Sequence, residues 1–164
     1  MLVTSEMFNG NMGGLDGADA ICQGLADDAG LPGDYMAWLS TAQDSPSTRF
    51  TQSDMPYVLV NGTVVANSWA DLTDGTLASA INLTETGGQP PVGNTSCAGG
   101  GFQTVWTATL QAGQSVNANN TCSGWTSTGG GSYWGRADSS NSFWTGWCSG
   151  NSCAWLSPIY CFQQ

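Results

Sequence analysis

Histidine and lysine are both missing from this chain of 164 residues, and Arg49 and Arg136 are its only basic side chains. That removes the imidazole or amine on which Ser-His-Asp, Cys-His and Ser-Lys catalysis depends. Acid–base chemistry would fall to paired carboxylates, the arrangement used in glycoside hydrolysis. The pairs available are Asp71 with Asp74, and Glu85 with Asp138. Asp71 and Asp74 read more simply as a helix cap and a turn, so no enzyme activity is expected. Carboxylate oxygens are also ligands for a hard cation. Asp71-Leu72-Thr73-Asp74-Gly75 lacks the spacing and the distant Glu of a calcium loop. Asp138 and Asn141 offer a second set of oxygens. No cofactor or metal is expected, with calcium the one ion whose ligands are present.

Thiols are the next reactive group. The 6 cysteines are Cys22, Cys97, Cys122, Cys148, Cys153 and Cys161. With no His and no Cys-x2-Cys pair, zinc is not supported. An even count that three bridges would exhaust reads as a disulfide framework, which belongs to an oxidising, extracellular setting. Six cysteines allow 15 connectivities, and spacing does not choose among them.

Aromatic rings are the strongest binding signal. Five of the 8 Trp lie after residue 120. Tyr133, Trp134, Phe143, Trp144, Trp147 and Trp155 sit in or after a stretch rich in Gly, Ser and Asn. Such rings can stack on sugar faces or anchor a protein interface. They can equally pack the loop that carries them. The expected ligand surface is Tyr133, Trp134, Phe143, Trp144 and Trp147, with Trp147, beside Cys148, the readiest to be structural.

Net charge narrows the partners. The chain carries −10, with 12 carboxylates against two arginines. Nucleic acid, heparin and anionic membranes all need clustered cations, so all three are disfavoured. What remains is an extracellular protein, a glycan or self-association. The 40% hydrophobic content and the Trp count argue for a folded domain rather than a disordered one. Asn61, Asn82, Asn94 and Asn119 each begin an Asn-x-Ser/Thr triplet, which has meaning only in a eukaryotic secretory route. Met1-Leu2-Val3-Thr4 has no basic or long apolar start, so export would need a leader outside this chain or release from a larger polypeptide. No apolar run reaches membrane-spanning length.

The elements that must position these groups are legible in part. Leu2-Val3-Thr4 reads as a strand. Leu15 to Ala29 reads as an amphipathic helix, with Ala18, Ile21, Cys22, Leu25, Ala26 and Ala29 on one face and Gly30 as its stop. Cys22 on that face must bond to a core element. Tyr35 to Leu39 reads as a strand. Pro56 to Val60 and Thr63 to Ala66 flank Asn61-Gly62, a hairpin signal. Asn67 or Ser68 caps a short helix over Trp69 to Leu72. Thr86 to Gly101 reads as loop, Phe102 to Leu110 and Thr121 to Ser127 as strands, Thr128 to Asn151 as a long irregular stretch, and Ile159 to Phe162 as a closing strand. Nothing splits the chain, so residues 1–164 are expected to form a single domain.

Several of these segments resemble one family in order. Phe8 to Gly14, Gly17-Ala18-Asp19-Ala20-Ile21-Cys22-Gln23, Ala29-Gly30-Leu31 and Ala37-Trp38-Leu39-Ser40 are similar to the start of endostatin, the domain cut from the C-terminus of certain collagens. Pro56 to Val60, Asn61-Gly62, Ser68-Trp69, Val105-Trp106, Cys122-Ser123-Gly124-Trp125 and Tyr160-Cys161 continue the likeness. A group of secreted bacterial domains shows the same pattern. The resemblance implies an α+β, C-type-lectin-like (endostatin-like) fold: one main helix on a twisted mixed sheet with long loops, stapled by disulfides. It implies that Cys22 pairs with Cys161 and Cys122 with Cys153, which leaves Cys97 for Cys148. It also makes Trp38, Trp69, Trp106 and Trp125 core residues.

Departures from the family matter equally. Its zinc site needs His residues and its heparin site an Arg patch, and this chain has neither. Calcium-dependent lectins need Glu-Pro-Asn or Gln-Pro-Asp; Gln89-Pro90-Pro91 and Trp147-Cys148-Ser149 do not supply the ligands. The expectation is therefore an extracellular or cell-surface, non-catalytic binding or adhesion module that recognises a protein or carbohydrate through its aromatic loop. The alternative is a structural subunit of an extracellular matrix or filament.

Overall fold

The computed structural model describes residues 1–94, 97 and 101–164. Thr95 and Ser96 of the Asn94 triplet, and part of the loop expected up to Gly101, lie outside the described residues. The chain is mixed α and β, with one long helix, small antiparallel sheets and three disulfides.

Helix α1 (Gly14–Asp28) is the longest element. Ala18, Cys22 and Ala26 recur at four-residue spacing and are fully buried, so the stripe facing the core is narrow and made of small side chains. The helix stops as its sequence demands. Gly30 takes φ 68°, its N–H bonds Asp27 O at 2.9 Å, and Leu31 N–H bonds Ala26 O at 2.9 Å. This is a Schellman closure, and Leu31 packs back on the core.

Strands β1 (Leu2–Val3), β2 (Tyr35–Ala37) and β8 (Tyr160–Gln163) form one sheet with β8 in the middle. Leu2 lies opposite Cys161, and Ala37 lies opposite Cys161 on the other side. Side chains alternate across a strand, and here both faces are covered. Leu2, Ala37, Ile159 and Cys161 belong to one core; Val3, Trp38, Tyr160 and Phe162 belong to another. That is why residues 159–162 read as a continuous apolar run rather than an alternating one.

The open edge of β2 is closed by the helix. Asp19 Oδ1 accepts from Ala37 N–H at 2.9 Å, and Gln23 Oε1 accepts from Tyr35 N–H at 2.8 Å. Positions i and i+4 of α1 thus replace a missing strand. Asp19 also pairs with Arg49, at the end of α2 (Pro46–Arg49).

A hairpin follows, β3 (Tyr57–Val58) with β4 (Val64–Ala66). In the connection Gly62 N–H returns to Leu59 O at 2.9 Å, with Gly62 at φ 84°. Helix α3 (Trp69–Leu72) begins at Ser68, whose side chain accepts from Asp71 N–H. Strands β5 (Thr104–Trp106), β6 (Gly131–Arg136) and β7 (Cys148–Ser152) form the second three-stranded sheet.

Three expectations are corrected. Among the described residues the strand ladders are antiparallel, and three small sheets stand in place of the single mixed sheet. Parallel pairing occurs as single bridges, such as Trp106 with Ile159. Pro158 has no N–H and Ala108 turns to φ 47°, so neither side extends that bridge. Thr121 to Ser127 is not a strand. Residues Cys122–Trp125 form a helical turn with φ 51°, 55°, 70° and 67°. Left-handed backbone costs roughly 1–2 kcal/mol per non-glycine residue. It is held by the Thr121 cap on Gly124 N–H, the Cys122–Cys153 bridge and the Trp125 indole bonded to Ser40 O at 2.9 Å. Gly10 lies against that bridge; a Cβ there would sit 2.7 Å from Cys122 Cβ. Finally, residues 128–151 are not irregular throughout, since they contain β6, the 3-10 turn Ser142–Trp144 and most of β7.

Cys22 is joined to Cys161, Cys97 to Cys148 and Cys122 to Cys153. The first bridge spans 139 residues and ties α1 to β8. By the chain-entropy model a loop of that length contributes about 5 kcal/mol. Three disulfides fit a secreted, extracellular protein. Among the described residues no helix is long and apolar enough to cross a membrane.

Candidate functional site

The five ring-bearing residues expected to form one surface divide into two groups. Trp134 and Trp144 are fully buried and offer no face to a ligand. Trp134 points inward from β6, edge-on to Trp106 at 4.8 Å and near Trp155 at 6.0 Å. Trp144 lies 4.9 Å from Trp38 and 5.6 Å from Tyr160, in the other core. Both are corrected from ligand surface to packing. Along β6 Ser132, Trp134 and Gly135 are buried while Tyr133 and Arg136 are half-buried, and Trp144 is buried from the 3-10 turn Ser142–Trp144. Gly135 is obligatory beside them, because a Cβ there would meet Trp144 O.

Tyr133 packs its ring against the first core. Phe143 is 44% exposed, and Trp147 is half-buried. Trp147 is not isolated. Its ring meets that of Phe102 edge-on at 5.0 Å, and the Arg136 guanidinium lies 4.1 Å from the Phe102 centroid and 5.3 Å from that of Trp147. Arg136 is held in place by Asp138: Nε donates to Oδ1 at 3.0 Å and Nη2 to Oδ2 at 2.9 Å. The fork-to-carboxylate geometry fixes the guanidinium plane. The Asp138 hydrogen bonds and charge hold the Arg136 proton more tightly than usual.

The cluster is assembled from three places. Phe102 precedes β5, Arg136 ends β6 opposite Thr104, and Trp147 precedes β7 with its N–H on Trp134 O at 2.8 Å. The Cys97–Cys148 bridge adjoins it. Phe102 and Arg136 were not among the candidate residues; the signal in the sequence is Arg136-Ala137-Asp138, a cation and an anion two apart at a strand end. Two half-buried rings and a fixed planar cation present flat surface and an unused N–H edge, while Asp138 cancels the charge.

The carboxylates considered for catalysis or calcium are each engaged elsewhere. Asp71 accepts from Asn67 N–H at 2.6 Å and from its amide at 2.9 Å. Asp74 accepts from Thr76 N–H at 2.8 Å and its hydroxyl at 2.9 Å. Glu85 takes Ser5, Asp138 takes Arg136, and Asn141 caps Phe143 N–H at 2.9 Å. Among the described residues no group of three or more Asp, Glu, Cys or His is placed to hold a metal ion.

Trp38, Trp106 and Trp125 are buried, and Trp69 is half-buried against Trp38 at 5.8 Å. No protein-family model matches the chain, and no curated protein matches it either.

Proposed function

We propose that the chain is an extracellular, non-catalytic binding module of the C-type-lectin-like, endostatin-like kind, and that it works through the Phe102–Arg136–Trp147 surface. The observation that carries this is the Arg136 guanidinium, forked to Asp138 and set 4.1 Å from the Phe102 ring centroid and 5.3 Å from that of Trp147. A cation–π stack of this kind contributes about 0.5–1 kcal/mol at an exposed site. That is little for stability but suits a recognition surface, where Trp and Arg are the residues that carry most binding energy. The family reading is supported by the ordered sequence likeness and by the bridge from α1 to the last strand. A net charge of −10 disfavours polyanionic ligands and leaves glycan or protein as the ligand class.

The test is binding of the protein, Trp147→Ala and Arg136→Met to a panel of neutral polysaccharides and matrix glycoproteins. Loss in both variants, with stability unchanged within about 1 kcal/mol, supports the surface. Equal binding by all three overturns it.

A second reading, as a structural subunit that self-associates, is favoured by the β3–β4 hairpin. Val58 and Val64 face each other across the strands at 38% and 40% exposure, and Met55 is 71% exposed beside them. Sedimentation velocity over a concentration series tests it: a monomer throughout removes this reading.

A further inference from the structure

Among the described residues, the donors to the buried Glu85 carboxylate are both from Ser5. Glu85 is 7% exposed, and Ser5 gives its N–H to Oε2 at 3.0 Å and its hydroxyl to Oε1. Each oxygen therefore keeps a further lone pair. The two arginines are committed elsewhere, Arg49 to Asp19 and Arg136 to Asp138. An ammonium brought to a carboxylate with spare acceptor capacity gains a charge-assisted hydrogen bond.

The surroundings define what that charge belongs to. Glu85 lines a pocket of about 390 Å³, within the usual size range for ligand sites. Ala29, Leu31 and Val60 supply apolar walls, and Asn61 and Thr86 polar groups. Ala29 and Leu31 stand at the C-terminal end of α1, where the helix dipole is negative. Asp27 and Asp28 close the last turn of that helix, which contains no base. Carboxylate, dipole and acidic turn all act in one direction.

We propose that the Glu85 pocket receives the side chain of a lysine from a basic partner protein. The alkyl stem lies along Ala29, Leu31 and Val60, and the ammonium reaches the free lone pairs of Glu85. A long amphipathic side chain is the natural match for apolar walls with a single charge. The net charge of −10 draws such a partner in from a distance. The proposal rests on reading the chain as a binding module but shares no residue with the Arg136 surface, so Trp147→Ala leaves it untouched.

The test is an NMR titration of the labelled protein with acetyl-Gly-Lys-Gly-amide, with the norleucine peptide as its uncharged control. Saturable shifts at the amides of Ser5, Thr86 and Gly87, seen with lysine and absent with norleucine, are expected. Glu85→Gln keeps the shape and weakens binding at least about tenfold, the usual loss for a charged hydrogen bond. Val60→Lys leaves Glu85 in place and blocks the peptide by supplying the pocket with its own ammonium. Shifts that spread over the acidic surface without saturating overturn the proposal, as does Glu85→Gln binding like the parent. Tighter binding of n-butylammonium than of the peptide assigns the pocket to a free amine and overturns the protein-borne source.

Discussion

Trp38 Nε1 donates to Thr145 Oγ1 at 2.7 Å, with both residues fully buried. The bond is one link in a chain of hydroxyls inside the molecule. Thr145 Oγ1 donates to Thr109 O at 3.0 Å, and Thr107 Oγ1 donates to Thr145 O at 2.6 Å. Ser40 and Thr109 share a hydrogen bond at 2.8 Å, and Trp125 Nε1 reaches Ser40 O. Trp38 belongs to one core and Trp125 to the other, so the chain of polar groups stitches the two together.

Replacing Thr145 with Val keeps the volume and removes the hydroxyl. The Trp38 N–H is then buried without an acceptor, a loss of about 1–3 kcal/mol. Trp144→Phe is the contrast, because the Trp144 Nε1 has no hydrogen-bond partner among the described residues. It should lose packing alone. Urea denaturation of the two variants distinguishes these cases.

Trp134, on β6, and Trp147, just before β7, should respond oppositely. Trp134→Ala is expected to cost about 3–5 kcal/mol, as for a core aromatic. Trp147→Ala should cost a fraction of that and act on binding instead. A Trp134→Ala protein as stable as the parent would contradict the burial.

Ser123 is exposed and holds φ 55°. Ser123→Gly removes a Cβ from a backbone region that penalises it and should stabilise by about 1 kcal/mol. Its own carbonyl still accepts from Thr126 Oγ1 at 2.8 Å. A lower melting temperature for the variant would refute the left-handed turn.

Asp19 gives a pH signature. Burial raises its pKa above the usual 3.8, opposed by the Ala37 N–H bond and by Arg49. The folded state therefore holds the proton more tightly than the unfolded state. Stability from this group is greatest below 3.8 and falls as pH rises through the raised folded value. Asp19→Asn still accepts from Ala37 N–H and does not ionise. Measured against the parent by thermal melts, the variant should gain ground as pH rises through that window. A constant difference would show that Asp19 titrates normally.

Helix α1 and its closure were readable because every local cue agreed: small residues at four-residue spacing, then Gly30 and Leu31. Ser68 before Trp69 was readable for the same reason. Cys122 to Trp125 was not, since its composition suits a strand and its conformation is imposed by Cys153 and Ser40 from afar. Residues 128–151 misled in the other direction. Gly, Ser and Asn suggested loop, yet Gly135 is there so that β6 can approach the Trp144 backbone. Trp134 and Trp144 read as surface from the sequence because ring placement within that stretch depends on β6 and the 3-10 turn, which its composition does not announce. The Phe102–Arg136 contact joins residues 34 apart, and no local pattern announces such a pair.

Strand β8 sits between β1 and β2, and its alternate side chains complete both cores. A chain leaving the ribosome or a translocation pore must carry β1 and β2 without their shared partner until residues 160–163 emerge. Neither apolar layer can close before then. Nascent chains halted short of Tyr160 should therefore leave the β1–β2 layer open to protease. Contacts this distant in sequence also make folding slow, and delivery of the whole polypeptide must precede it.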